Sequence, residues 1–313
     1  MIGFTSDEAV ACRRLVDLAL AEDLGAFGDR TSRALIPPEQ VGQAAFVART
    51  GGVVAGLPAA AMVCAKLNFT AMLEDGTTVE RGTAIATIAG SLREILAAER
   101  TALNFLQRLS GIATLTRRYV EAAAGFPAKI LDTRKTTPGW RLLEKYAVRM
   151  GGGINHRLGL HDGILIKDNH LAGLGGDVQL AVTMARSAPG NDHLPVEVEV
   201  DTLEQHEEAL AAKADIVLLD NMPPALMRIA VQRRDAIALE TKLEASGGVS
   251  LATVRAIAAT GVDRISIGAL THSAPALDIG LDYLPTDRSH HAPRDDSSHR
   301  SHRAPRDDSS RGA

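Results

Sequence analysis

Aromatic residues are scarce in this chain: one tryptophan, three tyrosines and six phenylalanines among 313 residues, 3% in all. That scarcity argues against a base-stacking surface for nucleic acid. Cysteine is nearly absent. Cys12 and Cys64 stand far apart and form no CxxC or zinc spacing, so reduced, buried thiols are expected. Neither sign of charge dominates. A net charge of −4 gives no global attraction for nucleic acid or an anionic membrane, so any anion must be bound locally. No apolar run approaches the roughly 18 residues of a membrane span. The first residues show no basic segment followed by an apolar core, so a cytoplasmic protein is expected. Catalytic signatures are missing as well: Ser110 and Ser246 lack a G-x-S-x-G elbow, and HExxH does not occur. What remains is an ordinary globular composition, 45% hydrophobic and 23% charged. Its length suits two domains or one large α/β domain with additions.

The first half reads as helices with a small β layer. Thr5 and Glu8 form a capping box for a helix ending near Gly25, and residues 28–32 read as a polar turn. Two short strands flanking Gly51 and Gly52 signal a hairpin between Gln43 and Leu57, and Pro58 opens a short helix through Leu67. Residues 69–91 superficially resemble a biotin- or lipoate-carrying hairpin, but the attachment lysine is missing, which leaves a structural hairpin. Ser91 and Glu94 suggest a second capping box opening a helix to about Leu109. Ser110 and Gly111 are expected to break it before a further helix over 112–124. Leu96, Arg100 and Leu103 share one helix face, and spacing leaves Arg100 two roles: snorkelling to water, or reaching an anion or a partner subunit.

From residue 129 short apolar runs recur between helical segments: KILDTR, ILIKDNH, VEVEVD, DIVLLDNM, KLEASGGV and RISIGAL. Strands alternating with helices imply parallel β/α units, and six units favour a closed or nearly closed barrel over an open sheet. The strands end in charge. Arg134 and Lys135 follow the first, Lys167 the second, and His156 with Arg157 lies between them. That many cations at one rim suggests a ligand with several negative charges. In VEVEVD, alternation puts Glu197 and Glu199 on one face, and Asp220 ends the next strand. Glu199 and Asp220 therefore suit Mg²⁺ or ribose oxygens, or else ion pairs with Lys135 and Lys167. Ser246, Gly247 and Gly248, then Gly268 with Ala269, follow the last two strands, where barrels often hold phosphate. Gly151 to Gly153 reads as a helix end. The residues alone point to a diphosphate-bearing sugar together with an anionic co-substrate.

The segments EDLGAFGDRTS, AERTALNFLQRLSGIAT, DTRKTTPGWRLLEKYAV, GGGINHRLGLHDGILIKDNH, VEVEVD, LLDNM, EASGGV and GVDRISIGALTHS run in order over residues 22–284. On them the chain resembles the quinolinate phosphoribosyltransferase family, with Trp140 where leucine is more usual. The resemblance implies an α/β fold: an N-terminal α/β sandwich over 1–110, an incomplete, TIM-like β/α barrel over 111–272, and a segment over 273–286 packing back on the first domain. It implies transfer of phosphoribosyl from phosphoribosyl pyrophosphate to the nitrogen of quinolinate with loss of CO₂, giving nicotinate mononucleotide for NAD synthesis. By the same resemblance Arg100 comes from the other subunit of a homodimer. Arg134, His156, Arg157 and Lys167 belong to the quinolinate site, Thr133 is a further substrate-binding residue, and Lys135 faces the diphosphate sugar. Glu199 and Asp220 handle ribose and Mg²⁺, while Ser246, Gly247, Gly248, Gly268 and Ala269 hold the 5′-phosphate. Lys135, Lys167, Glu199 and Asp220 are the catalytic candidates, and no organic cofactor is implied. The alternatives are a molybdenum-transport-associated paralogue, a nicotinate phosphoribosyltransferase and a non-catalytic metabolite-binding protein on the same scaffold. Beyond the match, APRDDSS occurs twice in a histidine-bearing tail, and 287–313 is expected to be disordered.

Overall fold

The computed structural model describes residues 3–284; the repeat tail and its expected disorder lie outside the described residues. The first unit contains α1 (Ser6–Leu24), α2 (Arg30–Leu35), β1 (Val41–Ala48), β2 (Gly52–Val53), α3 (Leu57–Val63) and β3 (Asn68–Ala71). It continues through β4 (Thr78–Val79) and β5 (Ala84–Ser91) into α4 (Leu92–Ala122). The capping box of α1 forms in both directions, Glu8 N to Thr5 Oγ1 at 3.3 Å and Thr5 N to Glu8 Oε2 at 2.8 Å.

Four sequence expectations fail here, each for a local reason. Residues 28–32 are not simply a turn: Asp29 accepts from Ser32 N at 3.0 Å and so starts α2. The hairpin at Gly51–Gly52 does not form, because β1 pairs with β5 and β2 pairs with β4. The helix opened near Pro58 stops at Val63, four residues short of Leu67. Its N-terminus is capped from afar, the Asp75 carboxylate accepting Gly56 N at 2.8 Å and Leu57 N at 3.1 Å. Finally, α4 runs unbroken for 31 residues, and Ser91 makes no side-chain cap. Ser110 and Gly111 look like breakers but are there for close packing. Ser110 Oγ bonds both backbone groups of Ala55, and a Cβ on Gly111 would collide with the Pro275 carbonyl.

The second unit contains β6 (Lys129–Leu131), α5 (Arg141–Met150), β7 (Ile164–Ile166), α6 (Asp168–Gly173), α7 (Val178–Ser187) and β8 (Val196–Val200). It continues through α8 (Leu203–Ala211), β9 (Ile216–Asp220), α9 (Pro224–Ile237), β10 (Lys242–Ser246), α10 (Val254–Ala258), β11 (Arg264–Ser266) and α11 (Ala269–His272). Its six strands are parallel, in the order β6-β11-β10-β9-β8-β7. Strands β6 and β7 end that order unpaired with each other, so the barrel is incomplete. A bridge from Leu131 to Ile154 lays the segment before β7 along the open side.

Outward residues such as Val196, Val198, Val217, Leu219 and Leu243 are at most 1% exposed, buried under the helices. Residues of opposite parity face inward, which is how glutamates enter the interior. A last strand, β12 (Ile279–Leu284), returns to the first unit and pairs antiparallel with β1, completing the sheet β12-β1-β5-β3. Cys12 and Cys64 are unpaired, and burial lifts their thiols to about 11 and about 12. No helix among the described residues is long and apolar enough to cross a membrane.

Candidate active site

At the C-terminal ends of the barrel strands lies a cavity of about 500 Å³. Thr133, Arg134 and Lys135 enter it after β6, and Lys167 after β7. Glu199 and Asp220 reach it from the last turns of β8 and β9, and Ser246, Gly247 and Gly248 from the end of β10. Leu165 and Leu218 give it an apolar wall, suited to the faces of a flat ring. The sequence-chosen residues thus converge, with three exceptions. Gly268 and Ala269 sit beside the cavity without lining it, and Gly268 backs the aliphatic stem of Lys135. Arg100 is exposed on α4, near Trp140 and residues of α1, away from the cavity of its own chain.

The guanidiniums are held ready for an anion. Arg157 donates from Nη1 to the Gly163 carbonyl at 3.0 Å. The Nε atoms of both Arg134 and Arg157 are buried with no hydrogen-bond partner among the described residues. Burial and the nearby charge of Arg134 pull Arg157 below its usual pKa. Two like charges and two orphaned donors are costly without a ligand, and a carboxylate answers both. Lys135 has no carboxylate within ion-pair reach among the described residues, so its charge is free for substrate. Lys167 pairs with Glu199 at 2.6 Å, while Asp220 accepts from the Asn221 amide at 2.7 Å. Of the two ion pairs weighed from sequence, only the Lys167 pair is made.

The glycine turn is a backbone requirement. Gly247 and Gly248 have φ of 89° and 61°, and a Cβ on Gly247 would strike Asn221. Asn221 itself is left-handed at φ 52° and ties the β9 and β10 loops together, donating its backbone N–H to the Ser246 carbonyl at 2.9 Å. It lines the cavity and was not singled out from sequence. Its signal was the dipeptide Asp220–Asn221 at a strand end, since asparagine tolerates left-handed backbone.

Beneath the cavity lies a network that the sequence hid. Asp132 and Lys145 form an ion pair with both side chains fully buried. Asp132 also accepts from His156 N at 3.0 Å and from Asn155 Nδ2, while Lys145 donates to the His156 carbonyl at 2.8 Å. The loop carrying His156 and Arg157 is thereby locked to β6 and α5. Similarly, Arg108 on α4 and the buried Glu144 hold Thr137 in the loop after Lys135.

His156 Nε2 lies 3.1 Å from Glu197 and 3.4 Å from Glu244, and its Nδ1 accepts the Arg157 backbone N–H at 2.8 Å. Burial opposes charging this ring, but Glu197 and Glu244 outweigh it and lift its pKa to about 9. The two influences conflict, because a second ring proton on Nδ1 would displace the Arg157 amide. The hydrogen bond at Nδ1 is the firmer guide to the proton's place, on Nε2 between the acids. His156, Glu197 and Glu244 cluster as metal ligands would. A protonated Nε2 has no lone pair for a metal, however, and a ligating histidine donates from its other nitrogen rather than accepting there.

Fold and site together define a β/α-barrel protein whose strand rim carries a cation-rich cavity suited to anionic ligands. Comparison with known proteins makes the class specific. Residues 29–110 match the quinolinate phosphoribosyl transferase N-terminal domain and residues 112–282 its C-terminal domain. The nicotinate-nucleotide pyrophosphorylase [carboxylating] of Mycobacterium leprae is 46% identical over 87% of this chain and 97% of that relative. A probable enzyme of the same name from Bacillus subtilis is 44% identical over 88% of this chain and 95% of its own. The solved nicotinate-nucleotide pyrophosphorylase of Francisella tularensis superposes with a TM-score of 0.83 at 41% identity, covering 88% of this chain and 97% of that one. The chain belongs to the quinolinate phosphoribosyltransferase family.

Proposed function

We propose that this enzyme transfers phosphoribosyl from phosphoribosyl pyrophosphate to quinolinate and releases pyrophosphate, CO₂ and nicotinate mononucleotide, a step of NAD biosynthesis. The observation that carries this reading is the convergence of Arg134, Lys135, Arg157 and Lys167 on one cavity that also holds Glu199, Asp220 and the Ser246–Gly248 turn. Quinolinate is a planar dianion. Arg134 and Arg157 suit its carboxylates, and Leu165 with Leu218 suits its ring. The backbone N–H groups of the glycine turn suit the 5′-phosphate.

In the reaction the quinolinate nitrogen bonds to C1′ as the bond from C1′ to pyrophosphate breaks. Positive charge grows on the ribose, where the carboxylates of Glu199 and Asp220 stabilise it. Lys135 neutralises the departing pyrophosphate. The ring nitrogen, now cationic, stabilises the electron pair left at C2 when CO₂ departs, and a proton then adds to C2. Glu199 and Asp220 offer two carboxylates at the rim, the donor set Mg²⁺ takes when it shares its shell with substrate oxygens and water. A bound Mg²⁺ would supply charge neutralisation for the diphosphate.

Arg100 lies away from its own cavity but on an exposed face beside Leu18, which is 64% exposed. We assign it to the quinolinate site of a second copy in a homodimer. The test is CO₂ release from carboxyl-labelled quinolinate with phosphoribosyl pyrophosphate. Release is expected only with both substrates and should vanish with EDTA. CO₂-free turnover of nicotinate instead would overturn the assignment.

A further inference from the structure

Glu244 is 0% exposed, and neither carboxylate oxygen has a hydrogen bond among the described residues. A buried carboxyl group left so calls for a reason. Strand register gives the setting. Glu244 pairs with Leu218 on β9 and with Arg264 on β11, and points into the barrel below Ser246. Its polar neighbours are His156 Nε2 at 3.4 Å and Arg264 Nε at 3.5 Å, neither at hydrogen-bond geometry, and Glu197 approaches the same Nε2 at 3.1 Å. The imidazole thus spends Nε2–H on Glu197, with Glu244 close beside it, and Nδ1 on the Arg157 amide. Neither nitrogen is left to take a substrate carboxylate.

We propose that Glu244 is a positioning residue: with Glu197 it pins the His156 ring from below, and the ring holds the Arg157 backbone so that its guanidinium meets quinolinate. His156 then serves the dianion as a strut rather than as a ligand. The chain of contacts runs from Glu244 to His156 to Arg157, and it bypasses the groups assigned to phosphoribosyl pyrophosphate. This inference rests on the quinolinate reading of the cavity, deepening it with a residue no substrate touches.

The test is a double-mutant cycle read in steady-state kinetics. Glu244→Leu is expected to raise KM for quinolinate about tenfold, with kcat and KM for phosphoribosyl pyrophosphate changing by less than about threefold. Glu244→Gln should recover most of that loss, because an isosteric amide keeps an oxygen facing Nε2 and fills the same space. In a His156→Leu background, Glu244→Leu should add less than about twofold, since its only route to substrate is gone. Effects that multiply, or equal losses for both substrates, overturn the proposal. If Glu244→Leu does not fold, Glu244→Ala with and without His156 decides. A quinolinate-specific KM shift seen only with His156 present supports the strut, and any other result overturns it. Wild-type turnover is the control: an enzyme inactive on quinolinate would sink the functional reading, whereas an active one with independent effects sinks this proposal alone.

Discussion

His206 is fully enclosed on α8, and neither ring nitrogen has a hydrogen-bond partner among the described residues. Burial, helped by the charges of Arg233 and Arg234, holds its pKa down at about 4 from an ordinary 6.5. Unfolding exposes the ring to water and restores its affinity for a proton. The stability this neutral ring allows is therefore full above pH 6.5 and is lost as pH falls from 6.5 toward 4, by about 3 kcal/mol in all. Urea unfolding of wild type and His206→Leu between pH 7 and 4 checks this; the variant should lose less stability over that window. In the cavity, Arg134→Ala and Lys167→Ala should each lower kcat/KM about a hundredfold while unfolding at the wild-type temperature. Wild-type turnover from either would remove that residue from the chemistry.

The long helix α4 shows at the scale of an element how local rules mislead. A glycine inside a helix costs about 1 kcal/mol against alanine, so propensity says that Gly111→Ala should stabilise. The Pro275 carbonyl occupies the space the methyl needs, so the substitution should destabilise by roughly 1–3 kcal/mol, read from the urea midpoint. That same close approach is why Ser110 and Gly111 read as a break: contacts with distant residues leave no local pattern. The failed hairpin has a similar origin, since β1 finds its partners at β5 and at β12, far along the chain. The barrel strands were legible because parallel strands buried on both faces read as apolar runs that stop in charge. The rim residues were legible for the same reason. The layer below was not: Lys145 looks like an ordinary helix lysine, and Glu244 like one acid in a short strand, until the fold sets Asp132 and His156 against them.

For the molecule as a whole, the proposed assignment of Arg100 to a second copy would divide the work between chains. A mixture of Arg100→Ala and Lys167→Ala chains, each strongly impaired alone, should regain about a quarter of wild-type activity after subunit exchange, because half the dimers are mixed and each mixed dimer has one intact site. Absence of any recovery would return Arg100 to a site within its own chain. The return of β12 to β1 sets a different constraint, on the order of assembly. A nascent chain emerging from the ribosome exposes β1 early, with one edge waiting for a strand that is the last described piece to be made. A fragment ending at α4 should therefore be sticky and prone to self-association through that edge. The earliest part of the protein to be synthesised would be among the latest to be finished.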